Sequence, residues 1–155
     1  HIVLFLIAGL MIFSCTQTTK QETDSEIEEQ NILKSDSVKD GIFIHITESY
    51  SDPHRVLMPL KMAVMMSNDK DVIVYMDIHA VELAVKTAKD LEFDGFESFQ
   101  SYIKMLIENN VGIYACPSCL EVAGFNKEDL IDGVQIAEKD KFFNFTEGRI
   151  ITLDY

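Results

Sequence analysis

The stretch V-G-I-Y-A-C-P-S-C-L, residues 111–120, decides the fold and holds the most distinctive chemistry of the chain. Its first half, residues 111–115, is apolar and partly β-branched, which predicts a buried strand. Its second half leads into a short helix that is predicted to run over residues 118–123 and to be closed by Gly124. A buried strand that passes directly into a helix is the building block of α/β proteins.

The rest of the domain repeats this pattern of strand and helix. Segments rich in apolar and β-branched residues predict further strands at 42–47, 71–76, 134–136 and 149–153. The helical spacing of apolar residues predicts longer helices at 53–67, 81–91, 96–109 and 139–145. Because the strands are apolar on both sides and alternate with helices, the sequence predicts an α/β fold with a mostly parallel sheet and helices on both faces.

Three polar segments follow predicted strands and should meet at one edge of this sheet. Residues 47–54, 77–79 and 116–119 all lie at the carboxyl ends of strands, where sheets of this type bind their ligands. Apart from the two cysteines, the side chains expected to line a pocket there are His54, Asp77, His79, Pro117 and Ser118. His45 lies inside the first predicted strand and is expected to belong to the core.

The motif Cys116-Pro117-Ser118-Cys119 is the predicted site of chemistry. Cys116 ends a strand and begins a helix, where unpaired N–H groups and a partial positive charge favour a thiolate. The spacing lets Cys119 reach the same sulfur, so it could close a disulfide or release an adduct. The first hypothesis is therefore redox or sulfur-transfer chemistry with these two residues as the catalytic pair. The residues leave open whether the protein is a sulfurtransferase, a thiol oxidoreductase or a carrier without enzymatic activity.

Two other roles for the cysteines fit the same residues. Thiolates bind zinc and copper, and the further ligands beside Cys116 and Cys119 would be His79, the first candidate, His54 or a residue of another subunit. The pair could instead form a structural disulfide in a non-catalytic oligomeric protein, although so short a loop constrains the unfolded chain only modestly. No resident cofactor is expected.

The charge of the chain argues against two classes of partner. The formal net charge is −13, and residues 42–155 hold 19 acidic and 10 basic side chains. Nucleic-acid binding depends on Lys and Arg that neutralise phosphates, and anionic lipid attracts basic segments. We therefore expect neither nucleic acid nor an anionic lipid surface to bind the domain.

The first residues predict an exported protein with a lipid anchor. Residues 2–13 form an uncharged apolar run that is typical of the core of a secretory signal. Ser14 and Cys15 follow, and this end is similar to the lipobox of bacterial lipoproteins, in which the cysteine is acylated. We therefore expect a signal peptide at 1–15 with lipidation on Cys15, a flexible acidic linker at 16–41 and the α/β domain at 42–155. The domain would face the periplasm or the cell exterior and meet the membrane only through its anchor.

Residues 42–155 resemble the DsrE/DsrF-like family, including its YchN-like branch. The resemblance is carried by Pro53-His54-Arg55 after the first strand, by residues 111–120, and by E-D-L-I-D-G-V at 128–134. It implies a five-stranded sheet in a three-layer arrangement of the flavodoxin or Rossmann type. It also implies a homo-oligomer, often a trimer or a hexamer.

The resemblance also bears on the cysteines. Some members of the family relay sulfur as a cysteine persulfide, and Cys116 corresponds to the family's cysteine at the end of the strand. The partners implied are small sulfur species or a thiol redox partner. The apparent export signal separates this chain from the cytosolic relay members, whose partners would not be present outside the cytosol.

Overall fold

Five strands and four helices build the domain in the computed structural model, which describes residues 38–155. The strands are β1 (Gly41–Ile46), β2 (Asp71–Met76), β3 (Gly112–Ala115), β4 (Val134–Ile136) and β5 (Ile150–Asp154). The helices are α1 (Pro53–Met66), α2 (Phe99–Glu108), α3 (Pro117–Ala123) and α4 (Lys139–Phe143). Short 3₁₀ turns lie at Ala80–Glu82 and Lys127–Asp129.

Capping residues set where the first helices begin. The Asp52 carboxylate accepts the N–H of Arg55 at 3.2 Å, so α1 begins at Pro53 as predicted. Ser98 accepts the N–H of Ser101 at 3.4 Å, and this cap begins α2 three residues later than the apolar spacing predicts. The last two elements also differ slightly from prediction, since α4 ends at residue 143 and β5 begins at residue 150.

The strands are all parallel and lie in the order β4-β3-β2-β1-β5. Crossovers between parallel strands are right-handed. The three crossovers from β1 to β4 run in one direction across the sheet and therefore place α1, α2 and α3 on the same face. The last crossover returns to the far side of β1 and so places α4 on the opposite face. The predicted α/β sheet with helices on both faces is confirmed.

The two faces of the sheet are covered unequally. Under α1 and α2 lies the main core, where strand residues such as Ile44, Val74 and Ile113 are completely buried. On the other face the five-residue helix α4 inserts Phe142 against Phe43, with ring centroids 5.1 Å apart. We call this second side the thin face; it is the side that carries Phe43, His45, Tyr75 and Tyr114.

The helix predicted at 81–91 is wrong. After a single 3₁₀ turn the chain runs irregularly towards α2. The Ala84 carbonyl accepts the N–H of Ile131 at 2.9 Å, and Val85 forms an antiparallel bridge with Leu130. The apolar residues of this segment are buried in either conformation, so their spacing does not distinguish a helix from a loop that crosses the core. Backbone pairing with residues 129–131 decides the outcome.

The predicted signal peptide, Cys15 and most of the predicted linker lie outside the described residues. Within residues 38–155, the longest apolar helices fall short of what crossing a bilayer requires.

Candidate functional site

Strand pairing and a tight turn bring Cys116 and Cys119 to the carboxyl edge of the sheet. Cys116 follows β3 directly, and its N–H donates to the Met76 carbonyl of β2 at 2.9 Å. Pro117 then starts α3, with Cys116 as the N-cap residue. The N–H of Cys119 donates to the Cys116 Sγ at 3.4 Å. Both thiols are free and partly buried.

The surroundings of Cys116 favour its thiolate. Burial raises the pKa of Cys116, but hydrogen bonds outweigh burial and bring this pKa below the ordinary value of a cysteine. The donors are the Cys119 thiol, the Tyr75 hydroxyl and the backbone N–H groups of Cys119 and Ser118. Each stabilises a charged sulfur more than a neutral one. Cys116 is therefore the sulfur that is better prepared to act as a nucleophile.

The surroundings of Cys119 act in the opposite direction. Burial raises the pKa of Cys119, the hydrogen bond between its thiol and Cys116 raises it further, and the charge of Asp77 adds to the effect. A backbone N–H, that of Ile78, partly opposes these contributions. Ile78 has a left-handed φ of 50°, a conformation that a β-branched residue adopts only where the surrounding structure imposes it. Two thiols whose pKa values are displaced in opposite directions are suited to different roles.

A row of side chains crosses the thin face next to the cysteines. In the parallel register Asp154 of β5, His45 of β1 and Tyr75 of β2 are direct neighbours. Strand side chains alternate between faces, so the next positions with the same orientation are Asp77 beyond β2 and Cys116 beyond β3. Register and alternation thus bring these five residues together from four different parts of the chain.

Tyr75 links this row to Cys116. Its hydroxyl hydrogen-bonds the Cys116 sulfur, and its ring stacks on His45 with centroids 5.5 Å apart and an interplanar angle of 28°. Burial raises the pKa of Tyr75, and its hydrogen bond to Cys116 raises it further. The phenol therefore stays protonated and keeps its role as a donor.

His45 lies between two carboxylates. Its Nδ1 is hydrogen-bonded to the Oδ1 of Asp154 at 3.0 Å, and its Nε2 lies 2.9 Å from the Oδ1 of Asp77. The second contact is short, but its direction does not suit a hydrogen bond, and neither atom finds another partner among the described residues. It becomes an ion pair when the imidazole is protonated. The side chains of His45 and Asp77 retain 25% and 19% of their exposure, although the two facing atoms themselves are buried.

Three of the predicted pocket residues lie at the cysteines. Asp77 is beside both Cys119 and His45. Pro117 and Ser118 form the exposed first turn of α3. These placements follow from the strand-to-helix turn, as the sequence suggests.

The two predicted pocket histidines make other contacts. His54 stacks on Phe93, with ring centroids 5.2 Å apart and planes within 11°. His79 keeps 66% of its side-chain exposure, and its Nδ1 lies 3.8 Å from the Oε1 of Glu82. In their place the site holds Tyr75, which the sequence analysis did not single out, and His45, which it assigned to the core. Tyr75 lies two residues before Asp77, so the alternation of a strand places both side chains on the same side. His45 reaches that side because β1 pairs with β2.

The described residues do not assemble a metal centre. Across 38–155, no three His, Cys, Asp or Glu side chains gather in a group that could hold a metal ion. This part of the chain therefore does not bring His79 to Cys116 and Cys119 as a third ligand. A tetrahedral zinc site needs at least three protein ligands.

A cavity of about 300 Å³ opens on the thin face beside the site. Phe43, Tyr75 and Phe142 contribute rings to it, Pro117 borders it next to the nucleophile, and Lys139 lies at its side. A larger cavity of about 860 Å³ lies at the opposite ends of β2 and β3, with Asp71 and Gly112 in its wall. The smaller cavity is the one that adjoins the thiols.

A comparison with protein families shows the family of the chain. Residues 41–153 match the model of the DsrE/DsrF/DrsH-like family. The chain belongs to this family. The resemblance noted in the sequence is thereby confirmed at the level of the family. No curated protein matches the chain significantly.

Two solved structures share the fold of this family member. The ychN protein from E. coli is 22% identical with a TM-score of 0.57, and the match covers 75% of this chain and 99% of that chain. A protein of unknown function from Methanobacterium thermoautotrophicum is 15% identical with a TM-score of 0.53, covering 74% of this chain and 99% of that chain. At these identities the likeness concerns the fold alone.

Proposed function

We propose that this DsrE/DsrF/DrsH-like protein is a thiol-based sulfur-handling or redox protein. Cys116 attacks a sulfur–sulfur bond of a small compound, and Cys119 resolves the product. The observation that carries the proposal is the turn itself, in which the N–H of Cys119 donates to the Cys116 sulfur at 3.4 Å. Hydrogen bonds there lower the pKa of Cys116, whereas burial and the hydrogen bond to Cys116 raise the pKa of Cys119. A nucleophilic thiolate beside a protonated thiol is what both steps need.

The same pair serves two related reactions. With a disulfide, the Cys116 thiolate forms a mixed disulfide and expels one thiolate of the reagent, which takes up a proton. Cys119 then loses its proton, attacks the Cys116 sulfur and expels the second thiolate. With a persulfide donor, Cys116 attacks the outer sulfur and becomes a persulfide, while the donor leaves as a thiolate. Attack by Cys119 would release that outer sulfur as hydrosulfide and close the same internal disulfide.

The test compares Cys116→Ser with Cys119→Ser in reduced protein treated with a disulfide or with polysulfide. We expect Cys116→Ser to abolish labelling of the motif, and Cys119→Ser to leave a stable adduct on Cys116 that peptide mass spectrometry detects. Because each variant loses one sulfur, each is the matched control for the other. Labelling of the motif at the parental rate in Cys116→Ser would contradict the proposal.

The proposal includes a lipid tether and self-association. Its support is the lipobox-like end at Cys15 and the resemblance to an oligomeric family. Expression in a bacterium should place the parent in the membrane fraction and release Cys15→Ser into the soluble fraction. Light scattering on the purified protein should give the mass of a trimer or a hexamer. An unaltered distribution of Cys15→Ser, or the mass of a monomer, would remove the corresponding part.

A further inference from the structure

The cavity on the thin face has an aromatic wall built from three elements. Phe142 of α4 meets Phe43 of β1 and Tyr75 of β2 edge-on, with ring centroids 5.1 Å and 4.8 Å apart. Phe43 and Tyr75 lie 6.1 Å apart at 32°. Edge-on and tilted rings present both faces and edges to a bound group, which suits an apolar or aromatic substituent.

This wall adjoins the nucleophile. Tyr75 contributes to the cavity and also hydrogen-bonds the Cys116 sulfur, and Pro117 borders the cavity one residue beyond Cys116. Tyr75 and Pro117 therefore connect the lining of the cavity to Cys116. A reagent held there by an organic group would present its sulfur to Cys116.

The volume of the cavity limits the size of the ligand that can bind in it. A volume of about 300 Å³ lies at the lower end of the range of roughly 300–1,000 Å³ that small-molecule sites span. It admits one ring or a short chain, whereas a folded protein surface would need a much larger area.

The charge around the cavity disfavours anions. Glu138 borders it and is paired with Lys141 at 3.4 Å, and Asp77 and Asp154 flank His45 at its other side. Lys139 supplies one positive charge, and His45 adds a second only when it is protonated. Anionic sulfur compounds such as polysulfide or thiosulfate would meet at least as much repulsion as attraction.

We propose that this cavity binds the uncharged organic substituent of a low-molecular-weight disulfide, so that Cys116 attacks the sulfur next to it. The inference rests on the proposed function and names its substrate class. One disulfide is reduced to two thiols, and the two cysteine thiols are oxidised to one disulfide; the two protons of the cysteines pass to the released thiols. A single turnover of reduced protein needs no other reactant.

The experiment measures single-turnover rates of reduced protein with two neutral reagents, dipyridyl disulfide and hydroxyethyl disulfide. The test variant is Phe43→Leu, and Phe93→Leu is the matched control in a ring outside the cavity. The ratio of variant to parent rate is taken for each reagent, which cancels their different intrinsic reactivities. We expect Phe43→Leu to slow dipyridyl disulfide about three- to tenfold, the size of one aromatic contact, and to change the rate with hydroxyethyl disulfide by less than about twofold.

Two further measurements keep the outcome decisive. If Phe43→Leu does not fold, Phe142→Leu removes a ring of the same wall from another element and should give the same selective loss. Ellman's reagent, an anionic aromatic disulfide, should react faster as salt screens the repulsion, whereas the neutral reagents should not respond.

Equal effects of the ring variant on both neutral reagents would overturn the inference, and so would a rate with Ellman's reagent that falls with salt. Either result leaves the proposed function standing as long as Cys116→Ser is inert. Reaction of Cys116→Ser at the motif would remove the proposed function itself.

Discussion

Replacing Tyr75 by Phe removes one hydrogen bond to the Cys116 sulfur and leaves the ring that packs on the thin face. The thiolate loses more stabilisation than the thiol, because the phenol donates to the charged form. We therefore expect the pKa of Cys116 to rise in this variant. A higher pKa lowers the fraction of Cys116 that is thiolate, but it also makes each thiolate react faster. These two effects on the reaction rate have opposite signs.

The expected size follows from the surroundings of Cys116. A hydrogen bond to a charged group contributes about 1.5–3 kcal/mol when it is well buried. Cys116 is only partly buried and keeps its donors from Cys119 and Ser118, so solvent screening reduces the loss to about 1 kcal/mol. A loss of about 1 kcal/mol makes the thiolate fraction of Cys116 about fivefold smaller at pH values below its pKa. A more basic thiolate is more nucleophilic with a Brønsted coefficient of about 0.4–0.5, so the thiolate that forms reacts about twofold faster.

The assay follows the second-order rate of Cys116 with dipyridyl disulfide between about pH 5 and pH 10, a range that brackets thiol ionisation. Peptide mass spectrometry restricts the signal to the motif. In Tyr75→Phe the rate should fall about two- to threefold at low pH and rise about twofold at high pH, so the two pH profiles cross.

Tyr114→Phe is the matched control, since it makes the same change on the adjacent strand of the thin face. Its profile should follow that of the parent. A Tyr75→Phe profile that is lowered by one constant factor at every pH would show a loss of packing and refute the electrostatic argument. A profile that coincides with the parent would show that the hydroxyl does not act on this sulfur.

Two further substitutions test Asp77, which lies beside the cysteines, and Gly124, which closes α3. Asp77→Asn removes a negative charge that raises the pKa of Cys119. The larger thiolate fraction outweighs the lower nucleophilicity of each thiolate, so a mixed disulfide on Cys116 should convert to the internal disulfide up to about twofold faster near neutral pH. Quenched mass spectrometry checks this, and slower conversion would contradict it. Gly124→Ala places a Cβ at a φ of 80° with nothing within 4 Å, so it should cost only backbone strain, about 1–2 kcal/mol of unfolding free energy. Urea denaturation measures that loss, and an unchanged midpoint would show that the helix end rearranges freely.

The strands and the cysteine turn were predictable because their signals are local. The apolar run before Cys116, Pro117 at the first helical turn and Gly124 at the end each encode their own conformation. Asp77 was predictable for a related reason, since it follows a strand directly. The five strands that the apolar segments predict also agree with the five-stranded sheet implied by the family resemblance at residues 111–120 and 128–134.

The rest of the site depends on strand order, which the sequence does not encode locally. Tyr75 and His45 become neighbours because β1 pairs with β2 in a register that aligns them. The same register aligns Asp154, although it is 109 residues from His45 along the chain. The wrong prediction of a helix at 81–91 also has a non-local cause. Residues 129–131 supply the backbone hydrogen-bond partners that decide the conformation of this segment.

Strand order also explains why the reactive sulfur lies beside the less covered side of the sheet. Within residues 38–155, three right-handed crossovers in one direction stack α1, α2 and α3 on one face, and the crossover to β5 passes the other face with the short helix α4. The return to the far side of β1 creates the switch point at which open α/β sheets bind ligands, and the His45–Asp154 pair lies across it. Tyr75 and Cys116 share the orientation of that pair, so the proposed route of a small reagent to Cys116 runs over the thin face. The strand order therefore supplies one donor to Cys116, the Tyr75 hydroxyl, while the strand-to-helix turn supplies those of Cys119 and Ser118.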